Sequence, residues 1–274
     1  MKIASKALVV LVKKPFAIIY ISAFVLAAAV LNRLNPLIPL IAGLNKASEA
    51  DVFQNVISVL QFIIKPDIIK YVILLIAGAI VLSALLASAL TPGLMNVLNH
   101  AVSGKKAGRR VFFEGYSKYF KKILILSLKM FSLIWLFLIY IVVALVPLMI
   151  VLRAPVFNRV NDLIISVVIA IISVLILYFS LIFFRSYLIF WLPALFNGYG
   201  KPFIKGKRTV DSYFWKLALA FLIFDIVLLA AAAAFSYFPD NIYLFAARWL
   251  FATIYISYFT SYVFTAFKTY GDSE

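Results

Sequence analysis

The side chains best suited to chemistry in this sequence are a few charged residues inside long apolar stretches. Asp225, Lys129 and Arg248 each lie within such a stretch. A charge inside a bilayer is costly unless it is paired or faces water, so these residues indicate structural ion pairs or a path for ions. Asp225 and Lys129 enter from the same side to similar depth, and we predict that they pair. Arg248 can snorkel and is a competing partner. A proton or ion relay at Asp225 is the functional alternative.

A second polar feature is a stripe of hydroxyl side chains in the last apolar stretch. It consists of four residues at strict i, i+4 spacing, Thr253, Ser257, Ser261 and Thr265. Small hydroxyl residues let helices approach closely in lipid and form hydrogen bonds across helices. We therefore predict that this hydroxyl stripe faces protein or a hydrated cavity. Helix packing is the favoured interpretation, and a substrate path is the alternative.

No arrangement of side chains in the sequence matches a known catalytic or metal site. The chain has no cysteine and one histidine, His100. This composition excludes disulfides, thiolate chemistry and sites with several histidines. The motifs G-x-S-x-G and H-E-x-x-H and a Gly-rich phosphate loop are also missing. We therefore predict a protein that is not an enzyme and that needs neither cofactor nor metal.

The composition assigns these residues to an integral membrane protein. Of 274 residues, 66% are hydrophobic and 13% are charged, whereas a soluble domain is about half apolar and about a quarter charged. Such apolarity also excludes intrinsic disorder. A helix crosses the hydrocarbon core with about 20 apolar residues. The sequence predicts an all-α fold with six spans, at about 15–31, 68–90, 123–152, 163–184, 217–238 and 242–267.

The distribution of the cations predicts the orientation. The net charge is +16, and with the N-terminus inside, 18 of the 26 Lys and Arg residues lie in inner segments, Arg185 among them. This excess indicates that both termini are cytoplasmic, and the expected location is a prokaryotic plasma membrane. It explains the charge without nucleic acid, for which no binding motif is present. The one long outer segment has helical spacing at 51–64, which favours an interfacial helix over a re-entrant segment.

An internal repeat organises the inner segments. P-x-L-x-N occurs at 92–96 and 193–197, and Y-F-x-K occurs further along at 119–122 and 213–216, with extra residues in the first copy. Residues 5–15 resemble a third, fainter copy. We predict three pseudo-repeated hairpins in which the chain breaks at proline, runs along the surface as an amphipathic connector and re-enters. Their symmetry axis would lie along the membrane normal.

The connectors interleave aromatic residues with cations, a pattern that suits a helix in the headgroup region. The candidate contact residues for anionic lipid or a partner are Arg109, Arg110, Lys121, Lys122, Lys207, Arg208 and Lys216. Ordinary topological anchoring is the favoured interpretation, and specific binding is the alternative. The expected partners are membrane lipids, anionic ones in particular, with a protein partner or a homo-oligomer as further alternatives.

This arrangement resembles a broad family of six-span bacterial and archaeal membrane proteins, which are similar to the membrane domain fused to some glycerophosphodiester phosphodiesterases. The stretch from Phe190 to Leu217, FWLPALFNGYGKPFIKGKRTVDSYFWKL, carries the resemblance. The resemblance implies a six-span fold and no activity, because catalysis in the fused members belongs to a separate soluble domain. We expect a non-enzymatic component that supports transport, membrane homeostasis or assembly of a partner complex. A small-molecule or ion transporter using Asp225 and the hydroxyl stripe is the alternative.

Overall fold

The computed structural model describes residues 2–13, 15–33, 65–105, 108–153, 160–239 and 241–271. Within these ranges the regular structure is entirely helical, as predicted. The helices are α1 (Lys2–Lys13), α2 (Pro15–Arg33), α3 (Pro66–Val102), α4 (Arg109–Arg153), α5 (Val160–Phe196), α6 (Pro202–Ser236) and α7 (Ile242–Gly271). Five of them, α3 to α7, are long and apolar enough to cross a membrane, and α1 with α2 makes a sixth if that bent pair is one span. The segment 51–64 lies outside the described residues.

The helices extend beyond the apolar runs, which corrects the predicted chain breaks at proline. Pro92 and Pro193 lie inside α3 and α5 instead of ending them. Helices α4 and α6 begin 14 and 15 residues before the predicted spans at 123 and 217. Proline is tolerated in membrane helices because neighbouring groups and local adjustments satisfy the freed backbone groups. The basic connectors, defined as residues 108–122 and 201–216, are therefore mainly helical, and in α6 a kink at Tyr213 separates most of the second connector from the rest of the helix.

The described residues fall into two compact units. Unit 1 consists of Met1–Arg33, Ser88–Ile123 and Ile182–Glu274, and its core is rich in large aromatic side chains, with Phe190, Phe221 and Phe267 fully buried. Unit 2 contains the described parts of Leu34–Ala87 and Leu124–Leu181. Its helices expose many large apolar side chains, which suits contact with acyl chains. All of the candidate residues except Lys129 lie in unit 1.

Helix α7 contacts both N-terminal helices of unit 1. The segments Ile3–Val12 and Pro15–Val30 meet at 87°. The hydroxyl of Ser261 donates to the Ala7 carbonyl at 2.9 Å, and the Trp249 indole donates to the Ser22 carbonyl at 3.0 Å. Helix α1 is therefore fixed across the C-terminal half of α7, while α2 packs beside its N-terminal half.

Helices α3 and α5 end in the same type of turn. Gly104 and Gly198 both have positive φ, 70° and 83°, a conformation that glycine adopts without steric cost. In each turn the glycine N–H bonds to the carbonyl three residues earlier, and the next N–H bonds to the carbonyl five residues earlier, at 2.9 to 3.4 Å. These bonds define a Schellman motif, which satisfies the last carbonyls of a helix.

The spacing around these turns locates the extra residues of the first connection. Tyr119 lies fifteen positions after Gly104, and Tyr213 lies fifteen positions after Gly198. The glycine, however, lies twelve positions after the proline in the first copy and five positions after it in the second. The seven additional residues therefore lie before the turn, within α3, and the segment from glycine to tyrosine has the same length in both copies.

Candidate functional site

Two groups of residues define the candidate site in unit 1, an ion pair within the spanning helices and the exposed cations of the basic connectors. In the ion pair, Arg185 Nη1 lies 2.6 Å from Asp225 Oδ1 and Nη2 lies 2.9 Å from Oδ2. This two-point contact is the strong form of a charge-assisted hydrogen bond. The Arg185 and Asp225 side chains are only 24% and 17% exposed. The pair therefore joins α5 to α6 where water access is small.

The partner that the structure shows for Asp225 is Arg185, and the pairing of Asp225 with Lys129 stays a prediction. Arg185 lies within α5 because that helix continues to Phe196, eleven residues past the point where the sequence placed an inner segment. Lys129 has an exposed side chain on α4. Arg248 is also exposed, and its Nη2 donates to the Phe235 carbonyl at 3.3 Å. The apolar extension from Ser186 to Leu192 was the sequence signal that the helix continues past Arg185.

Aromatic side chains surround the ion pair. The Arg185 guanidinium lies 4.8 Å from the centre of the Phe221 ring, a favourable cation–π distance. The Tyr255 hydroxyl of α7 donates to the Phe224 carbonyl at 3.3 Å, next to Asp225 in the chain. Arg185 Nε is buried and makes no hydrogen bond within the described residues. The charges are therefore held mainly by each other and by aromatic faces.

The hydroxyl stripe lies on the α7 face that contacts α1 and α2. All four of its residues are buried. Ser261 bonds to Ala7 of α1, and the Thr265 hydroxyl donates to the Ser261 carbonyl one turn earlier at 2.8 Å. Thr253 Oγ1 and Ser257 Oγ are buried and form no hydrogen bond within the described residues. The stripe is thus a packing surface with two unsatisfied hydroxyls, on a different face from Tyr255 and the ion pair.

The basic connectors present their cations outward. All seven candidate contact residues have exposed side chains, and they are Arg109, Arg110, Lys121, Lys122, Lys207, Arg208 and Lys216. Arg110 pairs with Glu114 one turn along α4 at 3.0 Å, an exposed contact of small energetic value. The cations therefore remain accessible to groups from outside the described chain.

The lysine of the Y-F-x-K motif lies close to the tyrosine ring in both copies. Lys122 Nζ lies 5.8 Å from the Tyr119 ring centre, and Lys216 Nζ lies 5.3 Å from the Tyr213 ring centre. Both tyrosines are anchored inside unit 1. Tyr119 donates to the Phe196 carbonyl at 3.3 Å, and Tyr213 stacks on Tyr270 with ring centres 4.1 Å apart. Each lysine is thus positioned by a tyrosine that is fixed to the core.

An exposed aromatic ring lies between tyrosine and lysine in each copy of the motif. Phe120 and Trp215 come after the two anchored tyrosines, and both side chains are exposed. In α6 the motif also marks a bend, because Tyr213 has non-helical φ and ψ of −128° and 21°. Each copy therefore presents one exposed aromatic ring next to exposed cations, the combination that favours the interface between headgroups and acyl chains.

A close helix crossing supports the first connector. A Cβ atom on Gly115 of α4 would lie 2.6 Å from the Pro92 carbonyl oxygen and 3.0 Å from the Gly93 Cα atom of α3. The backbones therefore touch where Pro92 interrupts the hydrogen-bond pattern of α3. The Tyr20 hydroxyl of α2 donates to the Leu90 carbonyl, two residues before the proline, at 2.7 Å.

The arrangement offers positive charge and aromatic surface, and it offers few groups for bond-making chemistry. Among the described residues no group of three His, Asp or Glu side chains could hold a metal ion. Comparison with protein-family models, curated proteins and solved structures gave no match to this chain.

Proposed function

We propose that this chain is a non-enzymatic, six-span protein of the prokaryotic plasma membrane, with both termini in the cytoplasm. Its basic cytoplasmic face binds anionic phospholipid and supports transport, membrane homeostasis or assembly of a partner complex. In this proposal α1 lies along the inner surface, α2 is the first span and the three helical hairpins are pseudo-repeats. The shared Schellman turns and the equal spacing to Y-F-x-K support the relationship between the second and third hairpins.

The observation that carries the proposal is the fixed position of exposed cations beside exposed aromatic rings. Lys122 and Lys216 are set by tyrosines that are anchored in the core, and Phe120 and Trp215 are exposed next to them. A lysine near an anionic membrane surface contributes about 1 kcal/mol to binding. Aromatic rings at the same level add apolar contact with the upper acyl chains. A soluble partner would not require exposed aromatic rings beside the exposed cations.

The geometry favours this function over a transporter that uses Asp225 and the hydroxyl stripe together. Asp225 is neutralised by Arg185 and lies next to the residue contacted by Tyr255. The stripe faces the opposite way, toward Ala7 of α1. The described hydrogen bonds of the two features are separate, which supports separate structural roles.

The test is identification of the lipids that remain bound to the protein after purification in mild detergent. Native mass spectrometry would compare wild-type protein with K121Q/K122Q and with K207Q/R208Q. We expect both variants to lose anionic phospholipid several-fold relative to zwitterionic phospholipid, because two cations are removed from one face. The matched control is K65Q/K70Q, which also removes two cations, at the N-terminal end of α3.

Equal retention of anionic lipid by all four proteins would overturn the proposal. Equal loss in the control and in the connector variants would show that net charge, and not this face, determines binding. Unchanged folding is checked by the melting temperature in the same detergent.

A further inference from the structure

A cleft in unit 1 lies outside the seven candidate contact residues. It has a volume of about 580 Å³, and side chains from α1 and from the end of α7 surround it together with Val102 at the end of α3. This volume falls in the range of small-molecule sites, about 300 to 1,000 Å³. The cleft therefore has room for a phosphate group together with part of a larger molecule.

The lining of the cleft combines cationic and hydroxyl groups with apolar side chains. Lys6, Lys268, Ser5 and Thr269 supply the polar groups, and the apolar wall includes Val9 and Val10. No Asp or Glu occurs among the lining residues. Ammonium and hydroxyl groups can donate hydrogen bonds to the oxygen atoms of a phosphate, while the valines can contact the first carbon atoms of an acyl chain.

Lys268 is held at the cleft by a backbone contact. Its Nζ donates to the Val102 carbonyl at 3.5 Å. An ammonium group has three N–H donors, so two remain for a ligand. The carbonyl contact places the charge at the C-terminus of α3, where a cation is favoured by the helix dipole. Lys6 has an exposed side chain on α1, which can approach the same ligand from the other wall.

We propose that this cleft binds a phosphate group, with Lys6 and Lys268 contacting the phosphate oxygens and Val9 contacting the attached hydrocarbon. The phosphodiester of an anionic phospholipid and a free phosphate offer the same chemistry. The lipid case rests on the proposed function, because it requires this end of unit 1 to lie at the inner membrane surface. The cleft would also give the basic face one defined binding site, whereas the seven exposed connector cations would attract anionic lipid without a pocket.

The experiment titrates the purified protein in detergent with phosphatidylglycerol, with phosphatidylcholine and with inorganic phosphate, each followed by native mass spectrometry. We expect K6Q/K268Q to weaken phosphatidylglycerol binding about tenfold or more. A second variant, V9W, keeps both charges and fills the cleft. Its control is V12W, on the same helix but outside the lining. We expect V9W, and not V12W, to reduce binding.

The outcomes separate this site from the proposed function. If K6Q/K268Q and V9W bind every probe as the wild type does, the cleft proposal fails, whereas loss in K121Q/K122Q would leave the proposed function standing. If inorganic phosphate binds and competes but phosphatidylglycerol does not bind, the ligand is a soluble phosphate and the lipid case fails. Loss in both cleft variants with normal binding by K121Q/K122Q and K207Q/R208Q supports the site and contradicts the proposed function of the connectors.

Discussion

Arg185 and Asp225 form a two-point ion pair that joins α5 to α6, with both oxygen–nitrogen distances below 3 Å. The pair explains why a carboxylate is tolerated inside an apolar helix, because its charge and both oxygens are satisfied by one guanidinium. Breaking such a pair is costly even where the intact pair adds little net stability, since an uncompensated charge is left behind.

We expect D225N and R185Q each to destabilise the protein, by about 3 kcal/mol where the remaining group is fully uncompensated. The apolar double variant R185M/D225L should recover part of this loss because it leaves no unpaired charge. Thermal unfolding in detergent measures the effect. A D225N protein that is as stable as the wild type but has lost a transport activity would instead identify Asp225 as a relay.

The crossing of α3 and α4 predicts unequal effects of alanine at two glycines. In G115A the new methyl group would meet the backbone of Pro92, so the helices must separate and the melting temperature should fall by several degrees. In G78A no neighbouring heavy atom lies within 4 Å of the new methyl carbon. Replacing a helical glycine with alanine there should raise the free energy of unfolding by about 0.5 to 1 kcal/mol. Equal melting temperatures for the two variants would contradict the close crossing.

The hydroxyl stripe predicts opposite responses along one helix face. S261A removes the hydrogen bond to Ala7 and should cost about 1 kcal/mol. T253V should be neutral or stabilising, because the Thr253 hydroxyl is buried and makes no hydrogen bond within the described residues. The comparison is made by unfolding in detergent. A strong loss of stability in T253V would indicate that Thr253 has a partner, such as ordered water in a path.

The proposed orientation predicts which positions are reached from outside the cell. The chain has no cysteine, so single cysteines can be introduced without removing native ones. A cysteine at the exposed Tyr237, between α6 and α7, should react with a membrane-impermeant maleimide in intact cells. A cysteine at the exposed Lys118 should react only after permeabilisation. The reverse pattern would place the basic connectors outside and overturn the assignment of both termini to the cytoplasm.

The sequence predicted the helical class and the positions of the long apolar helical segments, because the length of an apolar run is a local property of the sequence. It did not predict the helix ends, because proline need not end a membrane helix where neighbouring groups and local adjustments satisfy the backbone, and Pro92 lies within α3. Arg185 was missed as a partner of Asp225 because the sequence placed it in an inner segment, whereas α5 continues to Phe196. The anchoring roles of Tyr119 and Tyr213 also depend on tertiary contacts, although the motif itself marked both positions.

The seven additional residues between Pro92 and Gly104 have a consequence for how far the two turns project. Seven helical residues are two turns, a rise of about 10 Å with almost no net rotation. Measured from its own proline, the Gly104 turn therefore lies about 10 Å further along its helix than the Gly198 turn. The two connectors thus begin at different distances from their prolines, although each covers the same number of positions from glycine to tyrosine.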